Sequence, residues 1–237
     1  EGAGAVQLSP SDGQWQALDK SGNPITEASL AVLATAHSVK MQTALAWLPL
    51  TSIRGQTTHL PATDQLSGLQ VALCDSGYLP PARSGQHCMG ASFIPGDPGT
   101  DERAAEHAHN ADMMRTALPD LKLTPPEAGW QGHVAHRCNS NDYLPVAGVV
   151  PDLPAFNTQY VALRHDRKRP INAPCPVLPG LAVLTSLGSR GLSAAPLAAE
   201  VLADQLCGRP PAVPRYLQRA ISPARFAERA LKRGEPL

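Results

Sequence analysis

Short apolar runs broken by prolines and glycines recur along the chain, and they predict strands more often than helices. Residues 5–8 and 14–18 flank Ser9-Pro10-Ser11-Asp12-Gly13, the composition of a hairpin connection. Residues 29–36 form a continuous apolar run, as expected of a strand buried on both faces. Residues 53–60 alternate loosely. Residues 69–74 and 87–93 read as antiparallel strands separated by Gly77-Tyr78-Leu79-Pro80-Pro81, and residues 130–138 read as a further strand.

Helical signals are fewer. One helix opens near Asp101, an N-cap residue type, and runs to about Leu118, ahead of Pro119. A second covers 156–164. From Gly180 the pattern is clearest: 181–186 is a buried strand, 187–191 a tight turn, and 192–206 a helix closed by Gly208. Pro196 lies in the first turns of a helix beginning near Ala194, where a missing N–H matters least. A last helix starts at Ser222 with Pro223 next, and stops at Gly234.

Composition narrows the function classes. The 237 residues carry 20 Lys+Arg against 20 Asp+Glu, and 43% are hydrophobic, which excludes wholesale disorder and supplies a core. A net charge of zero rules out nucleic-acid binding by overall basicity and leaves only local patches. Proline, at 24 residues, is about twice its usual share of roughly 5%; spread along the chain, it marks turns between short strands. No run approaches the roughly 18 apolar residues of a membrane span, and Glu1-Gly2-Ala3-Gly4 has neither region of a signal peptide. Five cysteines without a Cys-x-x-Cys pair argue against a disulfide framework or a zinc ribbon and read as reduced thiols of a cytoplasmic protein.

Three segments carry candidate chemistry. In the strand–turn–helix of 181–206, Gly188 and Gly191 permit a sharp turn. The helix start presents free N–H groups to a phosphate, a carboxylate or the electron-rich edge of a reduced flavin. The alternative is a glycine turn that only packs the helix on its sheet. In residues 130–145, His133 and Arg137 share one face of a strand and His136 the other, so the three do not converge as metal ligands. The histidines read as ordinary hydrogen-bonded strand residues. Arg137 presents a planar fork to a carboxylate or makes a surface salt bridge. Arg54-Gly55-Gln56 either faces a cofactor or closes a bend. Beyond Cys207 the chain turns basic, through residues such as Arg209, Arg215 and Arg219, giving an RNA-backbone contact or a solvated helix face.

Together, Arg54-Gly55-Gln56, Cys74–Tyr78, Gln86–Phe93, Gly132–Arg137 and Ser186–Leu197 resemble, in this order, the D-amino-acid-oxidase-like flavoproteins. Within them they are similar to the oxidase half of the bifunctional tRNA 5-methylaminomethyl-2-thiouridine biosynthesis family. The resemblance covers nearly the whole chain. It implies a mixed α/β fold. A partial Rossmann-like FAD-binding domain would come from 1–50 and 178–237, and an antiparallel-sheet substrate domain of the D-amino-acid oxidase type from 51–177. It implies FAD as cofactor and, as substrate, a carboxymethylaminomethyl uridine at the wobble position of tRNA. Oxidation of its glycyl C–N bond leaves an aminomethyl group and releases glyoxylate.

The resemblance also assigns residues. Arg137 matches the carboxylate-binding arginine and Tyr78 a substrate-pocket tyrosine. Gly188, Ser189, Arg190, Gly191 and Leu192 match the turn facing the flavin pyrimidine, and Ala34, Thr35 and Ala36 a second flavin-facing segment. Arg54 and residues 89–92 are expected near the isoalloxazine, and no metal is implied. The family's Gly-x-Gly-x-x-Gly does not occur in this sequence. The FAD cradle and the methyltransferase portion are therefore expected before Glu1 or on a separate chain. Two other readings stay open: an incomplete, non-catalytic fragment that binds substrate or RNA, and a glycine or D-amino-acid oxidase acting on a free small amino acid.

Overall fold

A computed structural model describes residues 4, 6–125 and 129–236. Ala5, the first residue of the expected first strand, lies outside them. The chain divides into two compact units, Glu1–Thr51 with Cys138–Leu237, and Ser52–Arg137.

The first unit opens with a three-stranded antiparallel meander, β1 (Gln7–Ser11), β2 (Gln14–Leu18) and β3 (Pro24–Ala28). Asp12 and Gly13, at φ 46° and 77°, form the two-residue turn that joins β1 to β2. A second sheet, in the order β11–β12–β4, contains β4 (Ala31–Leu33), β11 (Val146–Pro151) and β12 (Val177–Thr185). β11 runs antiparallel to β12, and β12 runs parallel to β4. Val39, Leu45, Leu48, Val146, Val183 and Phe226 are among the buried residues of its main core.

The apolar run 29–36 yields only three strand residues. Val32 is 45% exposed, so one face of β4 is open, and β4 is paired on one side alone among the described residues. The helix expected at 156–164 starts earlier, as α2 (Leu153–Gln159), capped by Asp152, whose carboxylate accepts from Ala155 N. It tightens into a 3₁₀ turn over Val161–Arg164.

The strand–turn–helix at 181–206 is present as β12, a 3₁₀ turn at Gly188–Arg190, and α3 (Gly191–Cys207), with Gly208 left-handed at its C-terminus. The helix begins three residues before the expected Ala194. Pro196 is therefore inside it and leaves the Leu192 carbonyl without its helical donor. α4 (Arg215–Ile221) and α5 (Ala224–Arg233) follow; Ser222 Oγ accepts from Ala224 N, and Gly234 closes α5.

The expected substrate segment 51–177 does not pack as one unit. Residues 138–177 join the first unit because β11 is zipped onto β12 and α2 packs with α5 around Phe156, Leu163 and Leu231. Asp142 fastens the loop after residue 140 to α5. Arg225 donates to its two carboxylate oxygens at 2.9 and 3.0 Å, and Arg229 adds an ion pair. Burial works against ionisation of Asp142, but the bonds from Arg225, Arg229 and Ser140 hold its carboxyl well below the usual range. Its folded pKa lies under the unfolded value of about 3.9. Its contribution is therefore complete above about pH 5 and is lost as the pH falls through 4 and below. Urea unfolding across pH 7 to 3 is expected to show this acid limb. In Asp142→Asn it flattens, with lower stability at pH 7 because Arg225 is left buried without its partner.

The second unit is an antiparallel sheet in the order β10–β5–β8–β7–β6, with β9 also paired to β5. Its strands are β5 (Leu50–Pro61), β6 (Leu73–Cys74), β7 (Tyr78–Leu79), β8 (Gln86–Gly90), β9 (Ile94–Pro95) and β10 (Gln131–Ser140). α1 (Ala104–Ala117) covers it through Ala111 and Met114, packed with Leu60, Leu79 and Met89. Asp101 is not the N-cap of α1. Its carboxylate pairs with Arg103 and its carbonyl accepts from Arg54, so the helix starts later, at Ala104. The strand expected at 69–74 shrinks to Leu73–Cys74.

Candidate active site

In the second unit, β5 and β10 bring Arg137 against the backbone of Gly55. A Cβ at Gly55 would overlap the guanidinium, so the missing side chain is what gives Arg137 its place. Arg137 Nη1 donates to the Ser92 carbonyl at 3.3 Å. The expected alternative, a surface salt bridge, does not form: among the described residues Arg137 has no carboxylate partner, whereas the buried Arg54 and Arg225 each have one. A half-buried guanidinium without an anion keeps donors free for an incoming carboxylate.

Tyr78 completes this cluster. Burial raises its phenol pKa and Cys88 adds to the effect, while the charge and hydrogen bonding of Arg137 work the other way. The hydroxyl therefore stays protonated near neutrality and can donate a bond of its own. Gly55→Ala is expected to leave the fold intact, since the flexible end of Arg137 can move away. It should raise KM about tenfold with little change in kcat, as a steady-state assay would show.

Arg54 is elsewhere. Its side chain is 0% exposed, and Nε donates to Glu106 at 2.8 Å. Its remaining bonds go to the carbonyls of Gly99 and Asp101 and to Gln56 Oε1. Glu106 also accepts from Ser92 Oγ, and Ser92 Oγ in turn accepts from Gln56 N. The expectation that Arg54 faces a cofactor therefore gives way to a buried network that fixes Ser92, the residue whose carbonyl holds Arg137. The four-donor arrangement leaves its guanidinium no free edge of consequence.

In the first unit, the parallel pair β4/β12 brings Ala34–Ala36 beside Ser186–Leu192 at the carboxyl ends of both strands. Thr185 Oγ1 donates to the Ala36 carbonyl at 2.8 Å, tying the two ends together. Ala36 and Ser186 both sit at positive φ, 49° and 58°, unusual for residues with a side chain. Ala34, Thr35, Ala36, Ser189, Arg190 and Leu192 are exposed; Leu192 is 100% exposed. No side chain caps α3, so its first N–H groups have no side-chain partner.

Gly188 has φ 57° and lies where a Cβ would meet Asn139 Oδ1 at 2.7 Å. That oxygen is buried without a hydrogen-bond partner among the described residues. Sequence reading missed Asn139, because only folding brings it to Gly188. Gly55 did carry a signal, as an isolated glycine within a strand. Among the described residues no His/Cys/Asp/Glu group could hold a metal ion.

The carboxyl ends of adjacent strands, next to an uncapped helix start, are the usual ligand position of an α/β sheet. The sequence profile described as FAD dependent oxidoreductase (DAO) matches residues 1–205. The chain belongs to that family. The chain is 42% identical over 235 residues to a "tRNA 5-methylaminomethyl-2-thiouridine biosynthesis bifunctional protein MnmC" of Pseudomonas entomophila (strain L48). The match covers 97% of this chain and 36% of that protein. It is 38% identical to the protein of the same name from Aeromonas salmonicida (strain A449), over 94% of this chain and 33% of that protein. The chain thus spans about a third of the length of these relatives.

The fold is similar to glycine oxidase from Geobacillus kaustophilus, with TM-score 0.67 and 17% identity over 90% of this chain and 50% of that one. It is also similar to iminodiacetate oxidase (IdaA) from Chelativorans sp. BNC1, with TM-score 0.62 and 21% identity over 89% and 50%.

Proposed function

We propose that this chain is the substrate-side portion of an FAD-dependent oxidase acting on carboxymethylaminomethyl(-2-thio)uridine at the tRNA wobble position. The observation that carries the reading is Arg137, a half-buried cation without a carboxylate partner among the described residues, set against Gly55 and beside Tyr78. The substrate is an N-substituted glycine, and its carboxylate suits that fork. The name of the relatives supports a tRNA base as the rest of the substrate.

The strand ends of the first unit fit a flavin. An uncapped helix start favours the electron-rich N1–C2=O edge, and Asn139 Oδ1 is a buried acceptor awaiting a donor. Ala34, Thr35 and Ala36 with Gly188, Ser189, Arg190, Gly191 and Leu192 would hold that ring. When bound, FAD would supply the two-electron oxidation of the glycyl C–N bond, and hydrolysis of the substrate imine would leave aminomethyluridine and release glyoxylate. Arg137 would capture and orient the carboxylate, and the Tyr78 hydroxyl would donate a second bond. We take the FAD-cradle and methyltransferase portions to lie in the part of the relatives' length beyond the match, and the setting to be the cytoplasm, where tRNA is modified. No helix among the described residues is long and apolar enough to cross a membrane.

The test is glyoxylate release and nucleoside mass spectrometry with the FAD-loaded full-length protein. Glyoxylate from modified tRNA and none from free glycine is the expected result. Turnover of glycine alone would replace this reading with an oxidase of free amino acids.

A further inference from the structure

A groove of about 1110 Å³ in the first unit takes no part in this chemistry. Arg167, Lys168 and Arg169 line it from the loop after α2, and Arg209, Arg215 and Arg219 from the end of α3 and from α4. The one carboxylate among its lining residues, Glu228, is neutralised by Lys232 at 2.6 Å. Arg209 pairs with Asp204, whereas Arg167, Lys168, Arg169, Arg215 and Arg219 form no ion pair among the described residues. In a chain with 20 cations and 20 anions, such clustering is a property of the fold and not of composition.

Like charges gathered in a concave surface repel one another until an anion fills it. At about 1110 Å³ the groove is too large for a single phosphate group, and its cations come from two separate chain segments, an arrangement that suits a polyanion. Arg215 and Arg219 are four apart on α4 and so share a face. The oxidoreductase profile ends at residue 205, before Arg209, Arg215 and Arg219, while the match to the tRNA-biosynthesis relatives spans 97% of the chain. Arg209, Arg215 and Arg219 thus lie beyond the span of the general oxidase profile, whereas Arg167, Lys168 and Arg169 lie within it.

We propose that this groove binds the phosphate backbone of the tRNA whose modified base is oxidised, holding the nucleic acid apart from the contacts to the base itself. The identity of the polyanion rests on the function proposed above; the groove as a nucleic-acid surface does not.

The experiment compares the FAD-loaded full-length protein with its Arg167→Ala/Arg169→Ala/Arg215→Ala/Arg219→Ala variant. Binding of a tRNA transcript is followed by fluorescence anisotropy across 50–200 mM salt, and oxidation of free carboxymethylaminomethyluridine is measured in parallel. Four lost phosphate contacts should reduce the slope of log affinity against log salt by about 3, at roughly 0.7–0.9 per contact. Affinity at low salt should fall at least tenfold, while kcat and KM for the free nucleoside stay within about twofold. The corresponding four-fold lysine variant should retain most of the slope, which a merely structural role of the arginines would not produce.

Unchanged tRNA affinity and slope in the alanine variant would overturn the inference. So would loss of binding to anionic vesicles or polyglutamate with tRNA binding intact, since the groove would then serve another partner. Failure of the wild-type protein to release glyoxylate from modified tRNA, with tRNA binding still dependent on the four arginines, would remove the proposed reaction and leave the nucleic-acid groove standing.

Discussion

Arg137→Ala is expected to lower kcat/KM of the FAD-loaded enzyme by about 30- to 1000-fold, roughly 2–4 kcal/mol of lost substrate and transition-state binding. Most of the loss should fall on KM, because the carboxylate is held equally before and during the oxidation. Arg137→Lys should recover only part of it, since an ammonium cannot reproduce the planar fork. The protein should remain folded: within its unit Arg137 makes a long bond to the Ser92 carbonyl, interacts with the Tyr78 hydroxyl, and forms no ion pair among the described residues. Steady-state kinetics on carboxymethylaminomethyluridine, with a thermal melt as control, gives the answer. Wild-type kinetics in Arg137→Ala would remove its assignment as the carboxylate anchor.

Arg54→Met is expected to lower stability by about 3–5 kcal/mol, because Glu106 is left buried with only the more distant Arg103, at 3.8 Å, in place of its hydrogen-bonded cation. For a chain of this size that corresponds to a melting point lower by about 6–20 °C. The double variant Arg54→Met/Glu106→Leu should be more stable than the single one, since two apolar groups replace an ion pair without leaving a bare charge. A kinetic trace should accompany the loss. Glu106 accepts from Ser92 Oγ, and the Ser92 carbonyl holds Arg137, so even variant protein that stays folded should show a raised KM. A single variant as stable as wild type would show that the network carries no structural role. A lowered melting point with unaltered KM would confine that role to packing.

Folding assigns different roles to Arg54 and Arg137, two arginines that read alike as candidates in the sequence. Each is an arginine on a strand, near glycine and amide residues. What separates them is the company of other elements. Glu106 arrives from α1 and the carbonyls of Gly99 and Asp101 from the loop before it, and they enclose Arg54 completely. Among the described residues of its unit, Arg137 meets a glycine, a carbonyl and a tyrosine and no carboxylate. None of these neighbours is local in sequence, so no periodicity could reveal them.

Elements defined by local rules were legible in the sequence. β2, β12, α3 with Gly208 and α5 with Gly234 follow from hairpin composition, a continuous apolar run and glycine at left-handed helix ends. Elements that depend on a partner were not. β3 is exposed at every position and carries a proline, so it has no hydrophobic pattern and exists through its pairing with β2. α4 is short and basic and was unforeseen for the same reason. The run 29–36 looked buried on both faces, but burial is decided by what packs over each face, and Val32 of β4 is 45% exposed.

By itself, then, the sequence determined the rhythm of strands and helices, the glycine turn at Gly188 to Gly191, and the stock of arginines, histidines and cysteines available for chemistry. Only the tertiary structure decided which arginine is enclosed and which is open, where the boundary of the packed units falls, and that Asn139 lies behind Gly188. It also gathered unpaired cations from two distant segments into one groove of a neutral protein. The physical reason is common to all of these. Backbone propensity and capping act over a few residues and are written in local order, whereas burial, charge pairing and close approach are set by residues that meet only when the chain folds.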